Sequence, residues 1–245
     1  MDSIFRRFQF HSFPSDDALA RAVAGNFVDR LTIARDESRF FSIALSGGRI
    51  AAAFLGAAAN LVIQRGGLGE LTHFFWADER CVPPNDAESN YRLANSLLLA
   101  PLLVPPSQVH RIPGEAEPAQ AASCAAAEYA RVMAANGVAP PRLDLVLLGM
   151  GEDGHIASLF PREPTETTAD PLSFRAVVGP KPPPNRITMG YPTLATAREV
   201  WVLVSGSGKE IALKEALSSA GSSPLARLIQ MRDTTEVFSA VSLPG

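Results

Sequence analysis

The most restrictive stretch of this chain is the run LDLVLLG at residues 143–149. Leu145, Val146, Leu147 and Leu148 leave no polar position among them, so the run cannot be a strand with one wet face. It reads as a strand buried on both faces, and such strands belong to mostly parallel sheets whose crossover connections cover the faces. The rest of the chain repeats the pattern, with further apolar runs at 40–45, 71–76 and 199–204. Between them lie helical periodicities. Ser15-Asp16-Asp17 supplies an N-cap and first-turn acids for Leu19, Val23, Phe27, Leu31 and Ala34, which predicts a helix to about residue 36. Ala-rich stretches at 50–63 and 120–136 stop at Gly66-Gly67 and Gly137.

Shorter helices are expected over 89–99, 209–217 and 225–231, and strands over 4–10, 109–112, 186–189 and 236–241. The Pro- and Thr-rich segment 161–184 resists assignment apart from an edge strand at 174–178. Strands alternating with helices predict an α/β fold, a mostly parallel sheet with helices on both faces. At 245 residues with 47% hydrophobic content the chain can bury one large core, and a single domain over 1–245 is expected.

Composition narrows the function. A formal charge of -3 gives no overall pull toward nucleic acid or an anionic membrane, and neither is expected as a partner. No run approaches the roughly 18 apolar residues of a membrane span. The first residues hold arginines without a following signal-type apolar stretch. The two cysteines, Cys81 and Cys124, have neither CxxC nor metal-ligand spacing, which suits a reducing compartment. A soluble, cytoplasmic protein is expected, and monomer and weak dimer both remain open.

Three junctions after apolar runs carry polar residues. Ser46-Gly47-Gly48-Arg49 precedes a helix, so it is either a plain tight turn or an anion site in which backbone N–H groups and a helix N-terminus receive a phosphate. Asp78-Glu79-Arg80 is either a surface charge cluster or part of a pocket in which Arg80 forks onto phosphate oxygens. The third, GMGEDGH at 149–155, sets Glu152, Asp153 and His155 among three glycines expected to adopt positive φ. An imidazole, ordinarily titrating at about 6.5, can take a proton from water near neutrality. His11, His73 and His110 show no ligand spacing, and no catalytic metal is expected. In a parallel sheet all three junctions reach the carboxyl edge, where they can share one pocket.

Two literal motif matches fail on chemistry. Gly149, Gly151 and Gly154 fit GxGxxG, but Glu152 and Asp153 would repel a pyrophosphate and Pro161 arrives too soon for a crossover helix. Gly206-Ser207-Gly208-Lys209 lacks the first glycine of a P-loop, and Glu210 stands where Ser or Thr is needed.

The blocks SGG, WADERCVPPNDAESNY, LDLVLLGMGEDGHIASLFP and RITMGYPTLATAREVWVLVSGSGKEIAL, in this order, resemble the glucosamine-6-phosphate isomerase/6-phosphogluconolactonase family on its lactonase side. The resemblance implies a Rossmann-like fold with no metal or nucleotide cofactor, and a small sugar-phosphate lactone, 6-phosphoglucono-1,5-lactone of the pentose phosphate pathway, as the molecule hydrolysed. It assigns water activation to His155, orienting or polarising roles to Asp78 and Asp153, and phosphate binding to Ser46, Gly47, Gly48, Arg80 and Lys209. Asn90 and Arg186 match further motif positions. The family loop usually continues with Thr or Ser and Pro, whereas Arg49-Ile50-Ala51 follows here. Whether Arg49 replaces the hydroxyl contact by a charge-assisted one stays open at this level. The deaminases of the family typically read AFNEP where this chain reads ASLFP, so Phe160 stands at the position of their additional acid.

Overall fold

The computed structural model describes residues 7–162 and 172–243. Among the described residues nine strands form two sheets. Six make an all-parallel sheet in the order β1 (Gln9–Ser12), β9 (Glu236–Ser239), β8 (Glu199–Val204), β5 (Leu145–Gly149), β2 (Phe41–Leu45) and β3 (Thr72–Trp76). The central strands are buried along their length, as their mostly apolar runs require: β2 entirely, with Ser42 bonded to Asp144, and β5 at all but its last residue. Helix α1 (Asp16–Asp36) is capped by Ser15, whose side chain accepts from Ala18 N, and packs against α2 (Arg49–Gln64), with Phe27 edge-on to Phe54. The expected mostly parallel sheet with packed helices is therefore present.

In the second sheet the strands expected over 174–178 and 186–189 are present, whereas their partner was not legible. Asp78–Arg80 is strand β4 rather than a loop, antiparallel to β7 (Asn185–Met189), which pairs in turn with the edge strand β6 (Phe174–Val178). Three charged residues offer no periodicity, and what makes them a strand is a partner more than 100 residues away. A single residue separates the two sheets. Ala77, fully buried, donates from N to Leu45 O (2.8 Å) and accepts at O from Met189 N (2.7 Å). The helix α4 (Pro118–Ala135) packs on β6 and β7, its Tyr129 ring meeting Phe75 and Phe174.

Other departures are local. The helix expected over 89–99 is α3 (Asn90–Ala94), continued by a π turn at Asn95–Leu99. A short helix α5 (Tyr191–Thr196), one and a half turns long, shows no period in sequence. The helix α6 (Glu210–Ala216) falls within its expected span, and α7 (Pro224–Gln230) is shifted one residue toward the N-terminus from its own. The expected strand at 109–112 reduces to one bridge, Val109 to Phe74, because prolines flank the run and it touches only the β3 edge. There His110 N donates to Phe74 O (2.8 Å), His73 Nδ1 lies 2.9 Å from His110 Nε2, and His110 Nδ1 lies 2.8 Å from Glu128 Oε1. The expected first strand begins among residues 1–6, outside the described residues, as is 163–171 of the unassigned segment.

Candidate active site

From β2 the chain runs outward to β3, whereas from β5 it runs the other way to β8 and β9. The carboxyl ends of the adjacent strands β2 and β5 therefore flank a topological switch point, where a crevice opens in a sheet of this kind. One cleft opens there, and its lining includes Ser46, Gly47, Gly48, Arg49, Asp78, Arg80, Asn90, His155, Arg186 and Lys209, together with Ser205.

The wall after β2 is built by backbone. Gly48 has φ of 105°, which a side chain resists, and it precedes α2 without any side-chain cap; the first turn of α2 holds no acid. The helix N-terminus thus keeps its positive end free of a protein anion. Ser46 Oγ is buried with no hydrogen-bond partner. A Cβ at Gly47 would lie 1.9 Å from Asn90 Oδ1, so Asn90 packs directly on the glycine backbone.

The wall after β5 is pinned by apolar residues. Met150, Ile156 and Leu159 are buried and bridged to one another, and between them the chain turns at Gly154, with φ of 80°. Ala157, a cleft residue, also takes positive φ, at 47°. Of the three glycines expected at positive φ only Gly154 adopts it. Gly151 serves by lacking a side chain, since a Cβ there would lie 2.0 Å from His155 Nδ1. His155 Nδ1 bonds to Asp153 Oδ1 at 2.5 Å, and the ring packs on Phe160 with centroids 5.1 Å apart. Burial pushes the Asp153 carboxyl up, but the bond and charge of His155 with backbone N–H donors outweigh it and hold the group below its ordinary value. The N–H groups of Gly151 and Gly154 bond within the loop, to His155 O and Gly151 O, so neither is free for a ligand.

The second sheet supplies the third wall. Asp78 accepts from Ser158 Oγ (2.7 Å) and Asn90 Nδ2 (3.3 Å), tying β4 to both other walls. Arg80 and Arg186 are register partners across β4 and β7. Arg80 Nη1 donates to Glu88 O (2.5 Å), while Arg80 Nε is buried without a partner. Arg186 donates to Pro183 O and Lys181 O and lies over the Phe160 ring at 5.7 Å. Burial and then the charge of Arg80 push the Arg186 pKa down. Burial likewise lowers Lys209, and Arg49 adds to it.

Of the residues expected to catalyse or to bind substrate, Ser46, Gly47, Gly48, Arg49, Asp78, Arg80, Asn90, His155, Arg186 and Lys209 line this cleft; Asp153 meets it through His155, and the neighbouring acids Glu79 and Glu152 do not line it. Ser205, at the end of β8, was missed, since a lone serine after an apolar strand has no distinguishing pattern. Four cations face one carboxylate, Asp78. Two such cations crowding one another are costly unless an anion joins them, so the cleft suits a phosphorylated guest. Among the described residues no group of three or more His, Cys, Asp or Glu could hold a metal, and no helix is long and apolar enough to cross a membrane.

The family model for glucosamine-6-phosphate isomerases and 6-phosphogluconolactonase matches residues 14–238. The 6-phosphogluconolactonase of Mycobacterium leprae is 40% identical over 186 residues, 71% of this chain and 74% of the relative. That of Mycobacterium tuberculosis is 36% identical over 215 residues, 85% of each. Among solved structures, the 6-phosphogluconolactonase from Trypanosoma brucei has a TM-score of 0.75 at 26% identity, with 94% of each chain covered. On the extent of these matches, the chain belongs to the glucosamine-6-phosphate isomerase/6-phosphogluconolactonase family.

Proposed function

We propose that this protein is a 6-phosphogluconolactonase, which hydrolyses 6-phosphoglucono-1,5-lactone to 6-phosphogluconate in the oxidative pentose phosphate pathway, with His155 activating the water. The observation that carries the mechanism is the bond from His155 Nδ1 to Asp153 inside a cleft lined by four cations. That bond keeps the ring proton on Nδ1, which leaves Nε2 with a lone pair for a water proton. The phosphate lies against the Ser46 loop, the open end of α2 and the cations, which sets the lactone carbonyl beside the ring.

Water attacks the carbonyl carbon as Nε2 takes its proton. The tetrahedral oxyanion forms among the cleft's cations, which lowers its energy. The imidazolium then gives its proton to the ring oxygen as the carbon–oxygen bond breaks, and the product leaves as a hydroxy acid. No cofactor is needed. Position 160 separates this reading from the deaminase side of the family, because Phe160 packs against His155 with the rings tilted by 47° and offers no acid for ring opening.

A coupled assay that generates the lactone in place, against an enzyme-free control, tests the reading. The protein is expected to add a large rate to the spontaneous hydrolysis and to release no ammonia from glucosamine 6-phosphate. A rate equal to the control defeats it.

A further inference from the structure

We propose that Glu79 is a positioning residue for substrate binding: its sealed carboxylate sets Arg80 and Asn90 in place on the cleft wall. The inference rests on the reading of the cleft as a sugar-phosphate site. Glu79 is only 2% exposed and does not line the cleft. Oε1 accepts from Arg80 N (2.7 Å) and Asn90 N (2.8 Å), and Oε2 accepts from Ser89 Oγ (3.0 Å) and Tyr91 N (2.8 Å). One side chain thus joins β4 to the start of α3.

That start needs an external hold. The α-helical part of α3 is five residues long, too short to be stable by itself, and its first N–H groups have no partner within the helix. Glu79 takes two of them, while Ser89 Oγ accepts from Arg92 N (3.1 Å) and donates to Glu79. Both cleft side chains depend on the turn so fixed. Asn90 directs Nδ2 to Asp78 O (2.9 Å) and sets Oδ1 against Gly47, and the Arg80 guanidinium is tethered to Glu88 O, one residue before Ser89. Asp78 has a separate hold on Ser158, and His155 has one on Asp153. Glu79 therefore governs binding more than turnover.

Glutamine has the shape of glutamate but not its acceptors. Whichever way the amide turns, its NH2 faces two N–H or O–H groups that now donate to an oxygen. The test uses the purified full chain, with kcat and KM from the coupled assay, Kd for 6-phosphogluconate by calorimetry, and Tm. In Glu79→Gln, KM and Kd are expected to rise about tenfold with kcat held within about threefold. Ser89→Ala removes one donor of the four and should weaken Kd less, in the same direction. Unchanged KM and Kd in Glu79→Gln, or a loss confined to kcat, overturn the proposal. If Glu79→Gln does not fold, Ser89→Ala decides, and an unchanged Kd there overturns it. A wild-type protein that binds 6-phosphogluconate without adding to hydrolysis defeats the lactonase reading but leaves the Kd comparison to decide on Glu79; one that does neither defeats both.

Discussion

At the scale of the residue, His155 is defined by what lies around it: a carboxylate on Nδ1, a tilted phenyl ring packed against it and the bare Cα of Gly151 beside it. His155→Ala is expected to cost about 10²- to 10⁴-fold in kcat with Tm nearly unchanged. Gly151→Ala should do comparable damage without touching the imidazole chemically, because the new methyl displaces the ring. Steady-state kinetics beside a melting curve on both variants check this, and a Gly151→Ala enzyme with normal kcat would contradict the geometry. The His155–Asp153 pair was visible in the sequence because its members lie two residues apart. The bond from Ser158 to Asp78 joins residues 80 apart, and no local pattern could have shown it.

The elements divide in the same way. The central strands of the parallel sheet, β2, β5 and β8, announce themselves because they are buried on both faces, whereas the edge strand β1 is exposed or half-buried along its length. The strand β4 does not announce itself, since its identity comes from β7, and α5 is too short for a period. The β3 edge carries a prediction of its own. Burial, and next the charge of His110, depress His73 to about 4; His110 is also lowered, burial outweighing its bond to Glu128. In the unfolded chain both rings titrate near about 6.5, so between that value and 4 the unfolded state binds more protons than the folded one. Stability contributed by these neutral rings is complete above about 6.5 and is lost as pH falls toward 4. Melting curves over this window should show Tm falling. In His73→Phe, which can still pack on Phe40, the fall should be shallower.

For the whole molecule, a net charge of -3 coexists with a cleft lined by four cations. Between about 0.01 and 0.15 M salt the screening length shrinks from roughly 30 to 8 Å, so kcat/KM should decline, mainly through KM. An unchanged KM would mean that the cations do not attract the substrate. The last consequence belongs to Ala77, which has no chemistry to perform. Its N–H reaches one sheet and its carbonyl the other, so the two sheets share one buried residue whose peptide groups on both sides are held by hydrogen bonds, which leaves little freedom for a hinge between the walls of the cleft. The amide protons of Ala77 and Met189 should therefore be among the slowest to exchange with deuterated solvent, opening only with global unfolding. The substrate enters a molecule already shut around its site on two sides, and scattering profiles with and without 6-phosphogluconate should superimpose.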